Sequence, residues 1–286
     1  MDKLRVQNVF SYLHTQDAET KTFLHDRLRH KHPDCFYSRA YQNKKWDGYV
    51  DFFDDKTGRF LTGLLPEVVD LLTRTNRQFE YIDERNCGFE WQHPEVDEHF
   101  LNPWLPKDHD PITLYDYQPD LVNKIIRFKR GIVTAPTGAG KTYIMISLLK
   151  ALPPKTPVLF LTKSSDLVHQ NYEDMMQWGI PDVGRWYSGF KELNYVMCVV
   201  LHPSNLAAIK KLLPKFKVLI VDEVHECISD MAIEAYKQMT SACVRVGVSA
   251  TPFRTKNALT EKILHKYQVK GHFGPVLKTS TTKSGV

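Results

Sequence analysis

Short apolar runs alternate with amphipathic stretches over the C-terminal two thirds of this 286-residue chain. The apolar runs predict strands at residues 131–135, 158–162, 196–201, 218–221 and 244–249. The stretches between them predict helices at residues 140–152, 164–178, 204–213 and 230–240. Because the strands are apolar throughout, we expect an α/β domain. Helices should cover both faces of a parallel sheet, and ligands should bind at the carboxyl ends of its strands.

Residues 1–95 follow a different pattern. Short β-type runs at 48–53 and 79–82 lie on either side of a helix predicted at 64–73. The sequence DDKTG at 54–58 predicts a hairpin turn between β-type runs. These elements predict a small α+β domain, to which we assign residues 1–105.

Three prolines fall within ten residues at 102–111, which predicts a linker between two domains. We therefore assign residues 106–278 to the second domain, the one with the parallel sheet. The polar residues 279–286 are interpreted as a linker that leads onward.

Composition is that of a globular protein, with 42% hydrophobic and 25% charged residues. No apolar run approaches the roughly 20 residues that span a bilayer, and the N-terminus lacks the apolar core of a signal peptide. We therefore expect a cytoplasmic protein with no membrane partner. Five cysteines, odd in number and without a CxxC pair, predict reduced and mostly buried thiols with no zinc site.

Basic and aromatic residues are interleaved near the N-terminus, although the net charge of the chain is only +5. Seven Lys or Arg residues lie between positions 21 and 45, with Phe36, Tyr37 and Tyr41 among them. Such a mixture can neutralise phosphates and stack on bases. Lys44, Lys45 and Trp46 are the candidate DNA contacts. The alternatives are a solvated helix face, and for Trp46 a place in the core of the small domain.

The sequence APTGAGKT at 135–142 joins a predicted strand to a predicted helix and is typical of a phosphate-binding loop. Ala135 stands where the standard pattern has glycine, and a small residue there still permits the turn. Glycine allows backbone N–H groups to face phosphates, and the helix N-terminus attracts anions. Lys141 is expected to reach the β- and γ-phosphates of ATP, and Thr142 to hold Mg²⁺. The predicted nucleotide-binding residues are Thr137, Gly138, Ala139, Gly140, Lys141 and Thr142.

Two further strand ends carry candidate chemistry. The sequence VLIVDEVH at 218–225 delivers Asp222 as a metal ligand and Glu223 as the base that activates water. Both can serve one site only if the strand ends there and the chain turns, because adjacent strand residues point to opposite faces. At the next strand end, Ser249 and Thr251 are placed to sense the γ-phosphate. A surface Asp-Glu pair and a plain loop are the alternatives.

In order and spacing, these three segments resemble motifs I, II and III of superfamily-two helicases, and the resemblance covers 112 to about 277. It implies a RecA-like domain, adenine recognition by Gln118 and a coupling role for His225 with Ser249 and Thr251. Residues 162–170 resemble motif Ia, which contacts the nucleic-acid backbone, although Lys163 and Ser164 replace the usual Pro-Thr pair. Ser204 belongs to a further such element, in which His202 replaces threonine.

Shorter matches outside the motor motifs resemble the phage UvsW-type recombination helicases. They are KWDG at 45–48, FLTGLL at 60–65 and FGPV at 273–276. This resemblance implies a monomeric, ATP- and Mg²⁺-dependent DNA helicase. Its substrates would be branched duplexes, such as forks and Holliday junctions, in phage recombination, repair and replication.

A helicase of this kind needs a second RecA-like domain, which supplies an arginine finger from a Gln-x-x-Gly-Arg-x-x-Arg element. The sequence contains no such element. We expect that the second motor domain is missing from this chain, either because the chain is shortened or because a partner provides it. The chain alone is then expected to bind ATP–Mg²⁺ weakly and to hydrolyse it very slowly.

Four other functions remain open from the sequence. A double-stranded DNA translocase that does not separate strands shares every motif named above. An RNA helicase is disfavoured by DEVH in place of DEAD at 222–225. A binding module without catalysis is disfavoured because Lys141, Thr142, Asp222 and Glu223 are all present. A P-loop kinase would need an acceptor site, and none is visible.

Overall fold

The computed structural model describes residues 2–105, 110–136, 138–253 and 259–277. Contacts between residues divide the chain into two compact units. The smaller unit draws on Met1–Asn86 and Phe253–Pro275, and the larger on Cys87–Pro252 and Val276–Val286. Each unit has its own cluster of buried hydrophobic side chains.

The strands in chain order are β1 (Asp2–Val6), β2 (Phe10–His14), β3 (Arg29–Lys31), β4 (Tyr49–Asp51), β5 (Arg59–Leu61), β6 (Phe79–Asp83), β7 (Arg130–Thr134), β8 (Val158–Thr162), β9 (Val183–Tyr187), β10 (Phe190–Lys191), β11 (Val196–Val200), β12 (Val218–Asp222), β13 (Val244–Ser249) and β14 (Val276–Leu277). The α-helices are α1 (Ala18–Arg27), α2 (Arg39–Gln42), α3 (Leu65–Arg74), α4 (Tyr117–Phe128), α5 (Lys141–Ala151), α6 (Ser165–Gln177), α7 (Pro203–Ile209), α8 (Asp230–Gln238) and α9 (Leu259–Phe273).

The smaller unit is built on a four-stranded sheet in the order β5-β2-β1-β6, and a separate pair is formed by β3 and β4. The helix predicted at 64–73 is α3, which buries Val68 and Leu72. The predicted hairpin turn is also confirmed, because Phe53 pairs with Phe60 across it. Gly58 lies in that turn with φ +72°, and a Cβ there would meet the carbonyl oxygen of Leu13 at 2.1 Å. Only glycine fits this position.

The larger unit contains an eight-stranded sheet in the order β10-β9-β11-β8-β12-β13-β7-β14. All neighbouring strands are parallel except β9 and β10. The five strands predicted from apolar runs are all present, and helices lie on both faces, so the predicted α/β fold is confirmed. The short strands β9, β10 and β14 escaped prediction. In β9 the buried run is interrupted by Arg185 and Trp186, which are partly exposed, and β10 and β14 have two residues each.

Strand register places the ends of three adjacent strands at one edge of this sheet. Asp222 pairs with Val248 between β12 and β13, and Ser249 pairs with Thr134 between β13 and β7. The chain therefore leaves β7, β12 and β13 at the same level, where the predicted site residues follow.

The two compact units do not coincide with the predicted domain ranges. Residues after Cys87 belong to the larger unit, where Leu101 is buried in the core and Trp104 packs against it. The 3₁₀ turn Asn102–Trp104 thus occupies part of the predicted linker, while residues 106–109 lie outside the described residues. Residues 279–286, the second predicted linker, also lie outside them.

Helix α9 belongs to the smaller unit, although the sequence assigned it to the second domain. The ring of Tyr267 lies 4.2 Å from that of His30, centroid to centroid. A Cβ on Gly63 would come within 2.0 Å of the carbonyl oxygen of Lys270, so the helix approaches the backbone at Gly63 closely. Tertiary packing decides this assignment, because α9 follows the last motor motif directly in the sequence.

Cys87 and Cys243 form a disulfide, with Cα atoms 5.1 Å apart. The expectation that all five cysteines are reduced is therefore wrong for these two, whereas Cys35, Cys198 and Cys227 are free and buried as predicted. The pairing is hidden in the sequence, since 156 residues separate its partners. No described helix is long and apolar enough to cross a bilayer.

The disulfide predicts a specific pattern of thiol labelling. Alkylation of the denatured, non-reduced protein should label Cys35, Cys198 and Cys227 only, as read by peptide mass spectrometry. Because the bond closes a long loop, reduction should lower the unfolding free energy by up to about 5 kcal/mol. Cys87→Ala should lower the thermal midpoint of the oxidised protein and abolish its response to reductant. Labelling of all five cysteines would contradict the pairing.

Candidate functional site

The loop between β7 and α5 is shaped by two glycines in the left-handed region. Gly138 has φ +83° and Gly140 has φ +68°, and Gly140 caps the N-terminus of α5. A Cβ on Gly140 would lie 2.3 Å from the side-chain nitrogen of Gln118. Ala135 is buried where the loop leaves the sheet. Thr137, a predicted nucleotide contact, lies outside the described residues.

Helix α4 braces this loop from one side. The amide nitrogen of Gln118 lies 3.3 Å from the carbonyl oxygens of both Ala139 and Gly140, and its amide oxygen accepts from the backbone N–H of Tyr115. The hydroxyl of Tyr117 donates to the carbonyl of Ala139 at 2.6 Å. Gln118 is almost fully buried. In this structure its side chain therefore positions the loop, and adenine recognition by Gln118 stays a prediction.

Lys141 and Glu223 form an ion pair across the site. The ammonium nitrogen of Lys141, at the start of α5, lies 3.0 Å from Oε1 of Glu223, which follows β12. Both side chains are largely shielded, with 18% and 28% of their surface exposed. The cation expected to bind phosphates is thus held against the carboxylate expected to activate water.

Asp222 ends β12 as a buried carboxylate, 8% exposed. Its Oδ1 accepts the backbone N–H of Glu223 at 3.0 Å. Burial raises the pKa of Asp222, with a further contribution from the charge of Glu223, and Lys141 opposes the rise. A divalent cation would relieve this cost, since bound cations are often the largest local charges in such sites.

Glu223 has left-handed backbone geometry, with φ 46° and ψ 51°. For a residue with a Cβ this conformation costs roughly 1–2 kcal/mol. It breaks the strand alternation that would send Asp222 and Glu223 to opposite faces. The expected turn after Asp222 is therefore present, and both carboxylates line one cleft.

Ser249 connects Glu223 to the next strand end. Its hydroxyl donates to Oε2 of Glu223 at 3.0 Å and accepts the backbone N–H of Thr251 at 3.1 Å. Nδ1 of His225 lies 2.8 Å from the hydroxyl oxygen of Ser249. Because a hydroxyl has one proton, and that proton goes to Glu223, His225 must be the donor to Ser249. The three predicted coupling residues therefore form one hydrogen-bonded chain with the predicted base.

A cleft of about 650 Å³ opens at this sheet edge. Gly138, Gly140, Lys141 and Thr142 line it from the loop and α5, facing Asp222 and Glu223. Helix N-terminal N–H groups and an ammonium suit phosphates, while hydroxyl and carboxylate oxygens suit Mg²⁺. The donor set therefore fits a nucleotide with its metal.

Helix α6 lines the same cleft with residues that the motifs did not reveal. Asn171 and Asp174 face it together with Trp178, whose ring meets that of Tyr143 edge-on at 5.9 Å. Burial raises the pKa of Asp174. The lining positions 167, 170, 171, 174, 177 and 178 recur every three or four residues, which is one helix face. That periodicity is the signal in the sequence, but only the fold shows which surface it meets.

The predicted DNA contacts Ser164, Ser204 and Lys163 already have hydrogen-bond or ion-pair partners within the protein. Ser164 caps α6 by accepting from the N–H of Leu167, and Ser204 is hydrogen-bonded to His202, which caps α7. Lys163 is exposed and pairs with Glu226 at 2.8 Å.

Lys44, Lys45 and Trp46 belong to the smaller unit. Both lysines are exposed. Trp46 is partly buried and donates its indole N–H to the carbonyl of Tyr49 at 2.7 Å. One edge of the Trp46 ring is therefore fixed to the backbone. Because the side chain is neither fully exposed nor fully buried, its burial does not decide between a DNA contact and a place in the core of the small domain.

Comparison with known sequences adds a family and two relatives. The family described as "Type III restriction enzyme, res subunit" matches residues 111–254. The "DNA 3'-5' translocase XPB2" of Sulfurisphaera tokodaii is 32% identical over 177 residues, which are 62% of this chain and 39% of that protein. The "Putative DNA 3'-5' helicase Rad25" of Haloarcula marismortui is 27% identical over 148 residues, covering 50% of this chain and 23% of that protein. The chain thus spans well under half the length of either relative.

Comparison with solved structures finds the UvsW helicase from bacteriophage T4. One crystal structure of that helicase matches with a TM-score of 0.71 at 17% identity, covering 96% of this chain and 99% of the other. A second T4 UvsW structure gives a TM-score of 0.72 at 16% identity and covers 98% of this chain and 57% of the other. At such low identity the likeness establishes the fold.

Substitution of Asp222 tests the electrostatics of the cleft. Because its pKa is raised in the folded protein, the native state holds this proton more tightly than the unfolded state does. The ionised carboxylate therefore destabilises the protein, and the unfolding free energy should fall as the pH rises from the unfolded pKa through the raised one. Asp222→Asn should remove this fall and stabilise the nucleotide-free protein at pH 7.

Denaturant unfolding between pH 4 and pH 8 measures this effect. Asp182→Asn is the matched control, because Asp182 is exposed and lies in a left-handed position that asparagine tolerates. A loss of stability in Asp222→Asn at pH 7 would contradict the assignment of Asp222 as an electrostatic cost.

Proposed function

We propose that this chain, which belongs to the family of the type III restriction enzyme res subunit, drives the remodelling of branched DNA. The members of that family are ATP-hydrolysing superfamily-two helicases. In this proposal the larger unit is the first RecA-like motor domain and the smaller unit is an accessory DNA-binding domain. The observation that carries it is the continuous chain of contacts from Lys141 through Glu223 and Ser249 to His225. Such a chain joins a phosphate-binding residue to the segments that report on nucleotide state.

The nucleotide would be held by the loop, with backbone N–H groups of residues 138–140 and the ammonium of Lys141 on its phosphates. Thr142 and Asp222 would hold Mg²⁺, which would neutralise phosphate charge. The ion pair between Lys141 and Glu223 is the state of the site before the nucleotide binds. When Lys141 turns to phosphate oxygens, Oε1 of Glu223 loses its cation and becomes available to accept a proton from the attacking water.

Coupling to DNA would proceed through Ser249. Its hydroxyl is shared by Glu223, His225 and the backbone of Thr251, so a change at Glu223 changes the hydrogen bonding of the segment after β13. On the other side, Lys163 is tied to Glu226, whose backbone N–H donates to the carbonyl of Glu223 at 2.9 Å. DNA phosphates that compete for Lys163 would therefore act on the same turn.

Branched DNA is favoured as substrate by two observations. The similarity to T4 UvsW extends over 96% of this chain, and so includes the smaller unit. That unit also presents exposed Lys44 and Lys45 beside aromatic residues. We place this activity in phage recombination, repair and replication, carried out by a monomer in the cytoplasm, which is the host cytoplasm if a phage encodes the protein.

A second candidate is translocation along duplex DNA without strand separation. It is favoured by the relative from Sulfurisphaera tokodaii, which is named a translocase and is 32% identical. Assays on a fork, a four-way junction, an unbranched duplex and an RNA duplex distinguish the candidates. Strand separation on the branched DNAs supports the first proposal, and ATP-driven movement along duplex without separation supports the second.

Substitution of Glu223 tests the proposed base. In a protein that also contains the second motor domain, Glu223→Gln should lower DNA-stimulated ATP hydrolysis at least about 10²-fold, the contribution typical of a general base. ATP binding should persist, because glutamine can still accept from Ser249 and the carboxylate of Asp222 remains. Hydrolysis is measured by phosphate release, and binding by a fluorescent ATP analogue. Glu234→Gln, on the exposed face of α8, is the control and should hydrolyse ATP normally. Normal turnover by Glu223→Gln would remove it as the base.

Charge reversal in the smaller unit tests its contact with DNA. Lys44→Glu combined with Lys45→Glu should weaken fork binding and flatten its dependence on salt, because fewer counterions are released. The measurement is fluorescence anisotropy at several salt concentrations. Lys210→Glu with Lys211→Glu is a matched control, an exposed adjacent pair in the larger unit. Equal salt slopes for wild type and the Lys44–Lys45 variant would show that this basic surface is only solvated.

A further inference from the structure

The 3₁₀ turn Cys35–Tyr37 presents two large aromatic rings to solvent in the smaller unit. The side chain of Tyr37 is 85% exposed, the highest value among the large hydrophobic residues of the described chain, and Phe36 is 56% exposed. Exposed apolar area of this size costs stability, because burying an aromatic side chain is favourable. Two neighbouring aromatic rings that are exposed to solvent therefore indicate a binding surface for a ligand or a partner molecule.

The turn that carries these rings is held firmly. Cys35, the first residue of the turn, is fully buried, and its N–H donates to the carbonyl of His32. The N–H of Tyr37 donates to the carbonyl of Asp34 at 3.1 Å, and the side chain of Gln42 donates to the carbonyl of Phe36 at 3.0 Å. A ring on such a turn loses little freedom on binding, which favours affinity.

A cleft of about 770 Å³ opens at Phe36, the residue before Tyr37. Its lining residues are Phe36, Tyr41, Gln42, Lys44, Lys45, Trp46 and Asp47. The volume falls within the roughly 300–1,000 Å³ that is usual for small-ligand sites. It is therefore large enough to receive one nucleotide.

The charge around this cleft is positive. Asp47, the acidic residue in its lining, is already ion-paired with Arg29. Lys44 and Lys45 have no carboxylate partner among the described residues, and Lys31 lies 4.6 Å from the centre of the Phe36 ring. An anionic ligand with a flat, stacking group complements these features.

Tyr37 does not line the cleft itself, but it follows Phe36 in the chain and is the more exposed of the two rings. The indole N–H of Trp46 is bonded to the backbone of Tyr49, and its ring packs edge-on against His32. Phe36 has Lys31 over one face and Tyr41 against it at 5.4 Å. Trp46 and Phe36 are therefore walls of the cleft, whereas Tyr37 is free to stack.

We propose that Tyr37 stacks on an unpaired DNA base, and that the neighbouring nucleotide enters the cleft with its phosphate between Lys44 and Lys45. The proposal rests on the DNA-directed function above and names the part of the substrate that the smaller unit reads. A ring such as Tyr37 can stack only on a base whose face is uncovered, because both faces of a base inside a duplex are already stacked. The site therefore selects DNA at points where strands separate, such as the branch of a fork.

The test uses the 286-residue chain and two synthetic DNAs, a fork with unpaired arms and a blunt duplex of equal length. The fork carries 2-aminopurine at its first unpaired position, since the fluorescence of this base falls when it stacks. Wild type should quench it and bind the fork more tightly than the duplex. Tyr37→Ala should lose the quenching and weaken fork binding about tenfold, as expected for one stacked base, with duplex binding unchanged.

Two control variants show whether the aromatic ring at position 37 is responsible. Tyr37→Trp should retain quenching and affinity, because tryptophan supplies a stacking ring. Tyr81→Ala, which removes an exposed tyrosine of β6 in the same unit, should behave as wild type. Tyr37 is too exposed for its removal to disturb the fold.

The outcomes separate this proposal from the proposed function. If wild type prefers the fork but Tyr37→Ala binds and quenches equally well, the stacking role is overturned while the DNA function stands. If Tyr37→Ala loses fork and duplex binding to the same extent, selection of unpaired bases is overturned. If wild type binds neither DNA, the assignment to DNA falls as well.

Discussion

At the end of β12 the backbone turns into the left-handed conformation at Glu223, and the geometry of the site depends on that turn. An extended residue there would send the carboxylate to the face opposite Asp222. Because the chain turns, Glu223 meets Lys141 from α5 and Ser249 from β13. Strand register makes these meetings possible, since β7, β12 and β13 end at one level. A locally strained residue is thus maintained by contacts from the start of α5 and from the end of β13.

The charges of the cleft are arranged for an occupant. Burial and the neighbouring Glu223 raise the pKa of Asp222, while Lys141 is the nearby positive charge that opposes the rise. The same ammonium is bound to Glu223, so it restrains the residue proposed as the base. Phosphate and a divalent cation would redistribute these interactions, with Lys141 moving to phosphate and Asp222 to metal. The stability cost of Asp222 is what a residue kept for metal binding is expected to show.

The smaller unit places its polar and aromatic groups differently. Its core packs α3 and α9 with the sheet strands, while the turn Cys35–Tyr37 carries rings outward on a backbone fixed by hydrogen bonds. From the sequence, Trp46 was either a DNA contact or part of the core of the small domain. In the structure its indole N–H donates to the carbonyl of Tyr49 and its side chain lines the cleft, while Tyr37 is the more exposed ring.

The sequence alone determined the parallel α/β fold, and it predicted a phosphate-binding loop with two strand ends that face it, because buried strands and glycine turns leave local, periodic patterns. It did not determine the partners of these residues, since contacts such as Lys141 with Glu223 or Cys87 with Cys243 join distant positions. It also missed the face of α6 in the cleft, the placement of α9 in the smaller unit and the exposure of Tyr37. Each of these depends on which surfaces meet in three dimensions, and only the tertiary packing of the chain decides that. The loop before α5 could therefore be predicted from the sequence as a nucleotide site, but only the tertiary structure shows the contacts that Glu223 makes.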